Sequence, residues 1–191
     1  NSKGVYTFCM CPGGYVIPSS CQKDQLVVNG MSYASRSGEN ANSALLVQIN
    51  DSDYGNELFA GLKYQEDLEK KAFKMGHDYK ACVQLAKDYL ENKISNQFES
   101  VLPTYSIGTT FCDLNDLFSK EVNLALHEAL EHFEKKVPGF VSGGAILSGV
   151  ESRSSSSVRL VRDKESYVSN IQGIYPSGEG SGYAGGIMTS A

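Results

Sequence analysis

The hydrophobic period of this chain changes twice, and that limits its fold more than any single residue does. Between Val5 and Ile49 the apolar residues come in short runs: Val5-Tyr6-Thr7-Phe8, Tyr15-Val16-Ile17, Leu26-Val27-Val28 and Ala44-Leu45-Leu46-Val47-Gln48-Ile49. Runs of this length, rich in β-branched and aromatic side chains, predict strands. Cys11-Pro12-Gly13-Gly14 and Ser35-Arg36-Ser37-Gly38-Glu39-Asn40 lie between them and carry turn formers. From Tyr64 the spacing lengthens. Tyr64, Leu68, Ala72 and Met75 recur at helical steps beside Phe73, predicting an amphipathic helix that ends before Gly76. A longer helix is predicted from a cap at Asp113, with Asp116 at N3 and the stripe Leu117, Phe118, Val122, Ala125, Leu126, Ala129, Leu130 and Phe133. Lys135 and Lys136 suit its carbonyl end, and Pro138-Gly139 stops it. Lys80 to Asn92 is a third helical candidate. Strand character returns at Ala145-Ile146-Leu147, Ser157-Val158-Arg159-Leu160-Val161 and Ile171-Gln172-Gly173-Ile174-Tyr175. The expected class is α+β, a mixed sheet interrupted by a helical block, with segments 1–50, 51–140 and 141–191.

Charge and cysteine usage narrow the function classes. Lys and Arg total 17 against 22 Asp and Glu, a net charge of −5, so a polyanion meets no general attraction and nucleic acid is not expected as a partner. No run approaches the roughly 18 consecutive apolar residues of a membrane span, and Asn1-Ser2-Lys3-Gly4 lacks the apolar core of a signal peptide. The five cysteines, Cys9, Cys11, Cys21, Cys82 and Cys112, are odd in number and widely spread, which predicts free thiols and a cytoplasmic location. The chain opens without Met and stops a few residues into what reads as a new helix, the pattern expected of a piece excised from a longer polypeptide.

The most informative motif is near the end. Gly180, Gly182 and Gly185 spell G-x-G-x-x-G after a predicted strand and before a predicted helix, in Tyr175-Pro176-Ser177-Gly178-Glu179-Gly180-Ser181-Gly182-Tyr183-Ala184-Gly185-Gly186-Ile187. A complete dinucleotide fingerprint also needs an acidic residue roughly 20 positions on, and six residues remain after Gly185. What the local physics predicts is close backbone approach to a ligand, with helix-start N–H groups favouring an anion or a partly negative oxygen. Glu179 would repel a phosphate but accept hydrogen bonds from hydroxyls. In Gly149-Val150-Glu151-Ser152-Arg153-Ser154-Ser155-Ser156-Ser157-Val158-Arg159, Arg153 is the better anion contact because its planar fork binds in bidentate fashion, although a solvated serine loop is the blander reading.

Other candidates are weaker. Cys9 and Cys11, two apart on a strand, would face one side and are expected to be buried small hydrophobes rather than a metal or redox site. His77, His127 and His132 have no H-E-x-x-H spacing, and His127 and His132 are expected on the solvated side of the long helix. No metal is expected.

Taken together, six segments in order resemble the bacterial FAD-dependent dehydrogenases related to the glutathione-reductase-like flavoproteins. They are Thr7-Phe8-Cys9-Met10-Cys11-Pro12-Gly13-Gly14, Val28-Asn29-Gly30-Met31-Ser32, Asn40-Ala41-Asn42-Ser43-Ala44-Leu45, Pro138-Gly139-Phe140, Gly149 to Ser156, and Tyr175 to Ile187. The chain departs from the family pattern at Ser157 and Cys82, where proline is expected. The resemblance implies a C-terminal part lacking the N-terminal fingerprint, with a substrate-side domain and the returning piece of a Rossmann-like FAD-binding domain. It implies FAD as cofactor of the full-length oxidoreductase, with Gly178, Glu179 and Gly180 near the ribityl and pyrophosphate region. The helix start near Gly182, with Tyr183, Gly185 and Gly186, would face the flavin, and Arg153 would join the site. The implied partners are the missing N-terminal part and a small-molecule substrate, and this chain alone is expected to be inactive. The competing expectation is a self-sufficient, non-catalytic binding domain for a sugar or an anionic small molecule.

Overall fold

A computed structural model of the chain describes residues 3–183 and Met188. Its elements are β1 (Val5–Cys11), β2 (Gly14–Pro18), β3 (Val28–Ser32), β4 (Asn42–Val47), α1 (Asp51–Tyr54), α2 (Ala60–Gly76), β5 (Ala81–Leu85), α3 (Ala86–Leu90), β6 (Thr109–Phe111), α4 (Lys120–Lys136) and β7 (Ile146–Gly149). Short 3-10 turns form at Leu114–Asp116 and Glu179–Ser181. The class is α+β with three small sheets: β1 pairs β4 and β2 pairs β3, both antiparallel, while β5 lies between parallel β6 and antiparallel β7. Two compact units result, Asn1–Ile49 with Asp67–Glu151 and Asn50–Glu66 with Ser152–Ala191. No helix among the described residues is long and apolar enough to cross a membrane.

The first unit is organised around β5, in which all five residues are buried. This is where the helix expected over Lys80–Asn92 fails in its first half. A strand covered on both faces shows no alternation, so Ala81-Cys82-Val83-Gln84-Leu85 reads as an undifferentiated apolar run, and only Ala86–Leu90 coils into a helix. Gln84, fully buried, is satisfied at both ends: its Nε2 donates to the Lys93 carbonyl at 2.7 Å and its Oε1 accepts from the Leu114 amide at 2.8 Å. Ser95 likewise accepts from the Leu85 amide and donates to Asp88. A buried polar group without such partners would cost about 1–3 kcal/mol.

The helical stripes form as read, with shifted ends. Helix α2 begins at Ala60 and includes Gly76, and it buries Ala72 along with the carboxyl-bearing Glu69. Asp113 caps the short 3-10 turn by accepting from the Asn115 amide, while α4 starts after Ser119, whose hydroxyl accepts from the Val122 amide. Val122, Ala125, Leu126 and Leu130 are buried as expected, and each large aliphatic side chain so buried contributes about 1.5–3 kcal/mol. His132 is exposed. His127 is not: it is half-buried, with Nε2 3.0 Å from Asn115 Oδ1 and its ring edge-on to Tyr89 at 4.5 Å. The Tyr89 hydroxyl in turn donates to Asn123 Oδ1, so two polar positions of the helix face a network rather than water.

Two expected strands do not form. Ser157–Val161 and Ile171–Tyr175 find no ladder partner, and the isolated bridge between Arg162 and Ser169 is all that this stretch supplies. Ile171, Ile174 and Tyr175 stay exposed, folded into a turn in which the Ile174 amide donates to the Ile171 carbonyl. Strand propensity is realised only where a neighbouring backbone accepts the hydrogen bonds.

Candidate functional site

In the first unit the sequence motifs converge on the turn that links β1 to β2. Gly13 takes φ +60, and a Cβ there would run into the backbone of Arg36, so the turn and the 36–40 loop meet main chain to main chain. A Cβ on Gly38 would approach the Gly13 carbonyl to 2.6 Å and the Tyr15 ring to 3.1 Å. The contact is tied down by the Gly14 amide donating to the Asn40 carbonyl at 2.7 Å and by Asn40 Nδ2 donating to the Leu102 carbonyl at 2.8 Å. Tyr15 and Tyr33 pack edge to face beside it at 5.4 Å.

Asn42 occupies the middle of this cluster. Gly14 and Gly30 both lie against its side-chain amide, where any Cβ would collide with it. Its Nδ2 is buried and has no hydrogen-bond partner. A buried donor left unpaired costs free energy comparable to a lost hydrogen bond, so this amide marks a place where a missing acceptor belongs. The motifs Cys11–Gly14, Asn29–Ser32 and Asn40–Leu45 thus share one physical centre. Cys11–Gly14 reads as a turn in the sequence, which does not show that Asn42 packs against Gly14.

The thiols next to it differ from expectation. The β1–β4 register slips between Phe8 and Cys11, and Cys9 sits in this bulge at φ +53. The bulge breaks the alternation that would place Cys9 and Cys11 on one face. Cys9 is exposed and Cys11 half-buried, so neither is the buried hydrophobe predicted, and Cys21 is exposed as well. Cys11 Sγ donates to the Cys9 carbonyl at 3.3 Å. The Cys9 thiol is pushed up by partial desolvation, then by the Glu151 charge and by Cys11, while burial pushes the Glu151 carboxyl up. Cys9 therefore stays protonated near neutrality, a poor nucleophile and metal ligand. Among the described residues no group of three or more His, Cys, Asp or Glu could hold a metal ion.

The second unit gathers the C-terminal candidates. Gln65 Nε2 donates to the carbonyls of Ser152 (2.9 Å) and Ser155 (3.3 Å), anchoring the serine loop to the start of α2. The loop meets the glycine-rich segment through Ser156 Oγ, 3.4 Å from the Gly180 carbonyl, and through Arg159 Nε, which donates to the Gly182 carbonyl at 2.9 Å. Arg162 binds the Pro176 carbonyl and lies 3.9 Å from the Tyr183 ring centroid, with Arg159 at 5.1 Å and Tyr167 a second ring for Arg162 at 4.8 Å. The Tyr183 hydroxyl donates to the Leu160 carbonyl. Arg153 is half-buried and engaged with neighbouring groups. Arg162 carried no functional reading in the sequence, although its spacing from Arg159 places two guanidinium groups where one tyrosine can receive both.

Gly182 holds φ +80, and a Cβ on it would stand 2.6 Å from the Val158 carbonyl oxygen. Its amide donates to the Glu179 carbonyl and the Tyr183 amide to that of Gly178, so these two N–H groups are spent inside the turn. Glu179 and Gly180 are exposed, and a Cβ on Gly180 would meet nothing within 4 Å. The open face of this segment is therefore a glycine backbone beside a carboxylate. Gly185, Gly186 and the predicted helix around them lie outside the described residues.

Residues 1–154 match the family described as "FAD-dependent protein, C-terminal domain-like". The chain belongs to this family of FAD-dependent proteins. Its matched region holds all of the Asn42 cluster and stops before the glycine-rich segment. A protein of Clostridium beijerinckii (strain ATCC 51743 / NCIMB 8052), described only as uncharacterized, is 42% identical over 191 residues, 99% of this chain and 36% of the relative. The chain thus spans little more than a third of that relative's length. Membership of the family associates the chain with FAD; in the first unit the orphaned Asn42 donor fits a carbonyl or phosphate acceptor, and in the second unit, taken by itself, the open Gly180 backbone leaves room for close approach of a ligand.

Proposed function

We propose that this chain is the C-terminal part of an FAD-dependent oxidoreductase of the dehydrogenase type, related to the glutathione-reductase-like flavoproteins. On this reading it carries the substrate-side domain and the returning piece of a Rossmann-like FAD-binding domain, and it works only with the N-terminal part of the same polypeptide. The observation that carries the reading is the buried, unpaired Asn42 Nδ2 at the centre of the family motifs. When bound, FAD supplies the hydride or electron transfer that no side chain here can perform. Asn42 would donate a hydrogen bond to an acceptor of the bound cofactor or substrate, with Gly14 and Gly30 leaving room for its amide. Glu179 would accept from ribityl or ribose hydroxyls, and Gly178, Gly180 and Gly182 would let the cofactor approach the main chain. Arg153, Tyr183, Gly185 and Gly186 complete the proposed contacts.

The test is FAD titration, followed by flavin fluorescence and calorimetry, on the full-length polypeptide and on this chain alone. Tight binding by the full-length protein and none by the chain is expected. Asn42→Leu in the full-length protein should weaken FAD or substrate binding about ten-fold or more, since a charge-neutral hydrogen bond in a dry site contributes about 0.5–1.5 kcal/mol and its loss also leaves the ligand acceptor unpaired. Unchanged titrations and unchanged turnover in that variant would remove Asn42 from the site. Absence of flavin from the full-length protein would end the reading.

A further inference from the structure

Two of the five cysteines lie deep in the first unit and take no part in the flavin reading. On the parallel strands β5 and β6, Cys82 stands opposite Thr110, so Cys112, two residues beyond, falls on the same side of the ladder as Cys82. Their Sγ atoms are 2.8 Å apart. Cys82 is 0% exposed and Cys112 7%. Both sulfurs are also held against the end of α2: Cys112 Sγ lies 3.2 Å from the Met75 carbonyl and Cys82 Sγ 3.5 Å from the Ala72 carbonyl. The Cys112 amide donates to the Val83 carbonyl at 3.1 Å, which fixes its backbone beside β5.

We propose that Cys82 and Cys112 are an oxidisable dithiol site, which a peroxide converts into an intramolecular disulfide joining β5 to the residue that follows β6. The sulfurs already stand within roughly an ångström of the covalent length of about 2.05 Å. The shared S–H···S contact stabilises a single thiolate: Cys112 is held below the ordinary thiol range by the Cys82 hydrogen bond, and Cys82 is pushed far above it by the same contact and by burial. Cys112, the more open of the two, is the first to react. Its sulfur attacks one peroxide oxygen, the O–O bond breaks, an S–O bond forms, and one water leaves after protonation. Cys82 Sγ then displaces the hydroxyl from the sulfenic sulfur, the S–S bond forms, and the Cys82 proton leaves with that hydroxyl as a second water. In balance, two thiols are oxidised by two electrons and one hydrogen peroxide is reduced to two waters.

The experiment treats the full 191-residue chain in its native state with hydrogen peroxide, then denatures it in the presence of a maleimide and digests it without reduction for mass spectrometry. The expected product is the Cys82 peptide joined to the Cys112 peptide, two hydrogens lighter than their sum, released by dithiothreitol. The oxidised chain should also melt at a higher temperature and return to the original midpoint after reduction. The proposal is overturned if both thiols take up maleimide at a peroxide dose that has consumed exposed Cys21. It is equally overturned if either is joined to Cys9, Cys11 or Cys21, or is carried singly to the sulfinic acid. In Cys112→Ser the linked peptide should vanish while oxidation of the three outer cysteines is unchanged. The wild-type mass readout decides the matter even if that variant does not fold.

Discussion

β5 and the runs within Ser157 to Tyr175 have opposite fates: the first, read as part of a helix, is a strand, and the second, read as strands, form none. In the first unit Ala81-Cys82-Val83-Gln84-Leu85 is 0–3% exposed, flanked by a strand on each side and roofed by helices. In the second unit Leu160, Val161, Ile171 and Tyr175 are 52%, 78%, 59% and 62% exposed, and the backbone is held by arginine, serine and tyrosine side chains instead of a ladder. The difference teaches that a β-branched run becomes a strand only when a neighbour takes its hydrogen bonds and an apolar layer covers its side chains. It also divides the labour: the first unit is held by burial, the second by specific side-chain contacts to main chain.

The largest effects should therefore come from the packed unit. Leu117, 1% exposed, lies within 3.1 Å of where a Cβ on Gly149 would stand, so it closes the layer over the end of β7. Leu117→Ala should lower stability by about 2–5 kcal/mol in denaturant unfolding. A loss below about 1 kcal/mol, the range of ordinary surface changes, would show that burial is not what holds this unit. Next comes Gln84→Leu, which keeps the volume and removes both hydrogen bonds. The Lys93 carbonyl belongs to an exposed residue and can turn to water, whereas the Leu114 amide is left dry, for a cost of about 1–3 kcal/mol. Stabilisation by this variant would mean that the polar pair serves register rather than stability.

The counterpart in the second unit is Gly182→Ala. It places a side chain in the left-handed region, against the Val158 carbonyl, at a cost of about 1–2 kcal/mol for the conformation. The cost should appear locally. Limited proteolysis should cut faster between Ser152 and Tyr183, while the melting transition of the β5 core moves little. Equal displacement of both signals would erase the distinction between the units.

How much of this was legible follows the same division. The stripe from Leu117 to Phe133 announced α4 because a helix with one wet face writes its period into the sequence. Asp113 misled about its start because a 3-10 turn and Ser119 intervene, and both residues are good caps. β5 was unreadable because a strand buried on both faces has no period to show. At the candidate site, Cys11–Gly14 read as a turn and Asn29–Ser32 only as part of the family resemblance, while Asn42 is brought against Gly14 and Gly30 by the pairing of β1 with β4 and the Arg36 backbone against Gly13 by the loop before β4. Arg159 and Arg162 reach the glycine-rich segment through a loop whose path no local pattern encodes.

The finest comparison separates two charges on α4 by pH. His127 lies between Tyr89 and Asn115, with Glu131 nearby on its own helix and Asp113 bonded to Asn115, and burial holds its imidazole below the ordinary value of 6.5 despite the Glu131 charge. The fold thus prefers the neutral ring. Below about pH 6.5 the unfolded chain takes up a proton that the folded chain resists, so this contribution is complete above 6.5 and lost as pH falls through the lowered folded value. Glu134 acts in a lower window. Its carboxylate accepts from the amides of Val141, Gly139 and Ser142 and from the Ser142 hydroxyl, which pulls it down to about 2 from 4.5. Its contribution is complete above 4.5 and lost between there and 2. Unfolding midpoints measured every half pH unit should therefore show two slopes. His127→Gln, which keeps a hydrogen-bonding tip near Asn115, should flatten the upper slope and leave the lower, and Glu134→Gln should do the reverse. An upper slope that survives in His127→Gln would mean that the Tyr89 and Asn115 contacts do not discriminate between the two forms of the ring, and that the network seen around His127 is packing alone.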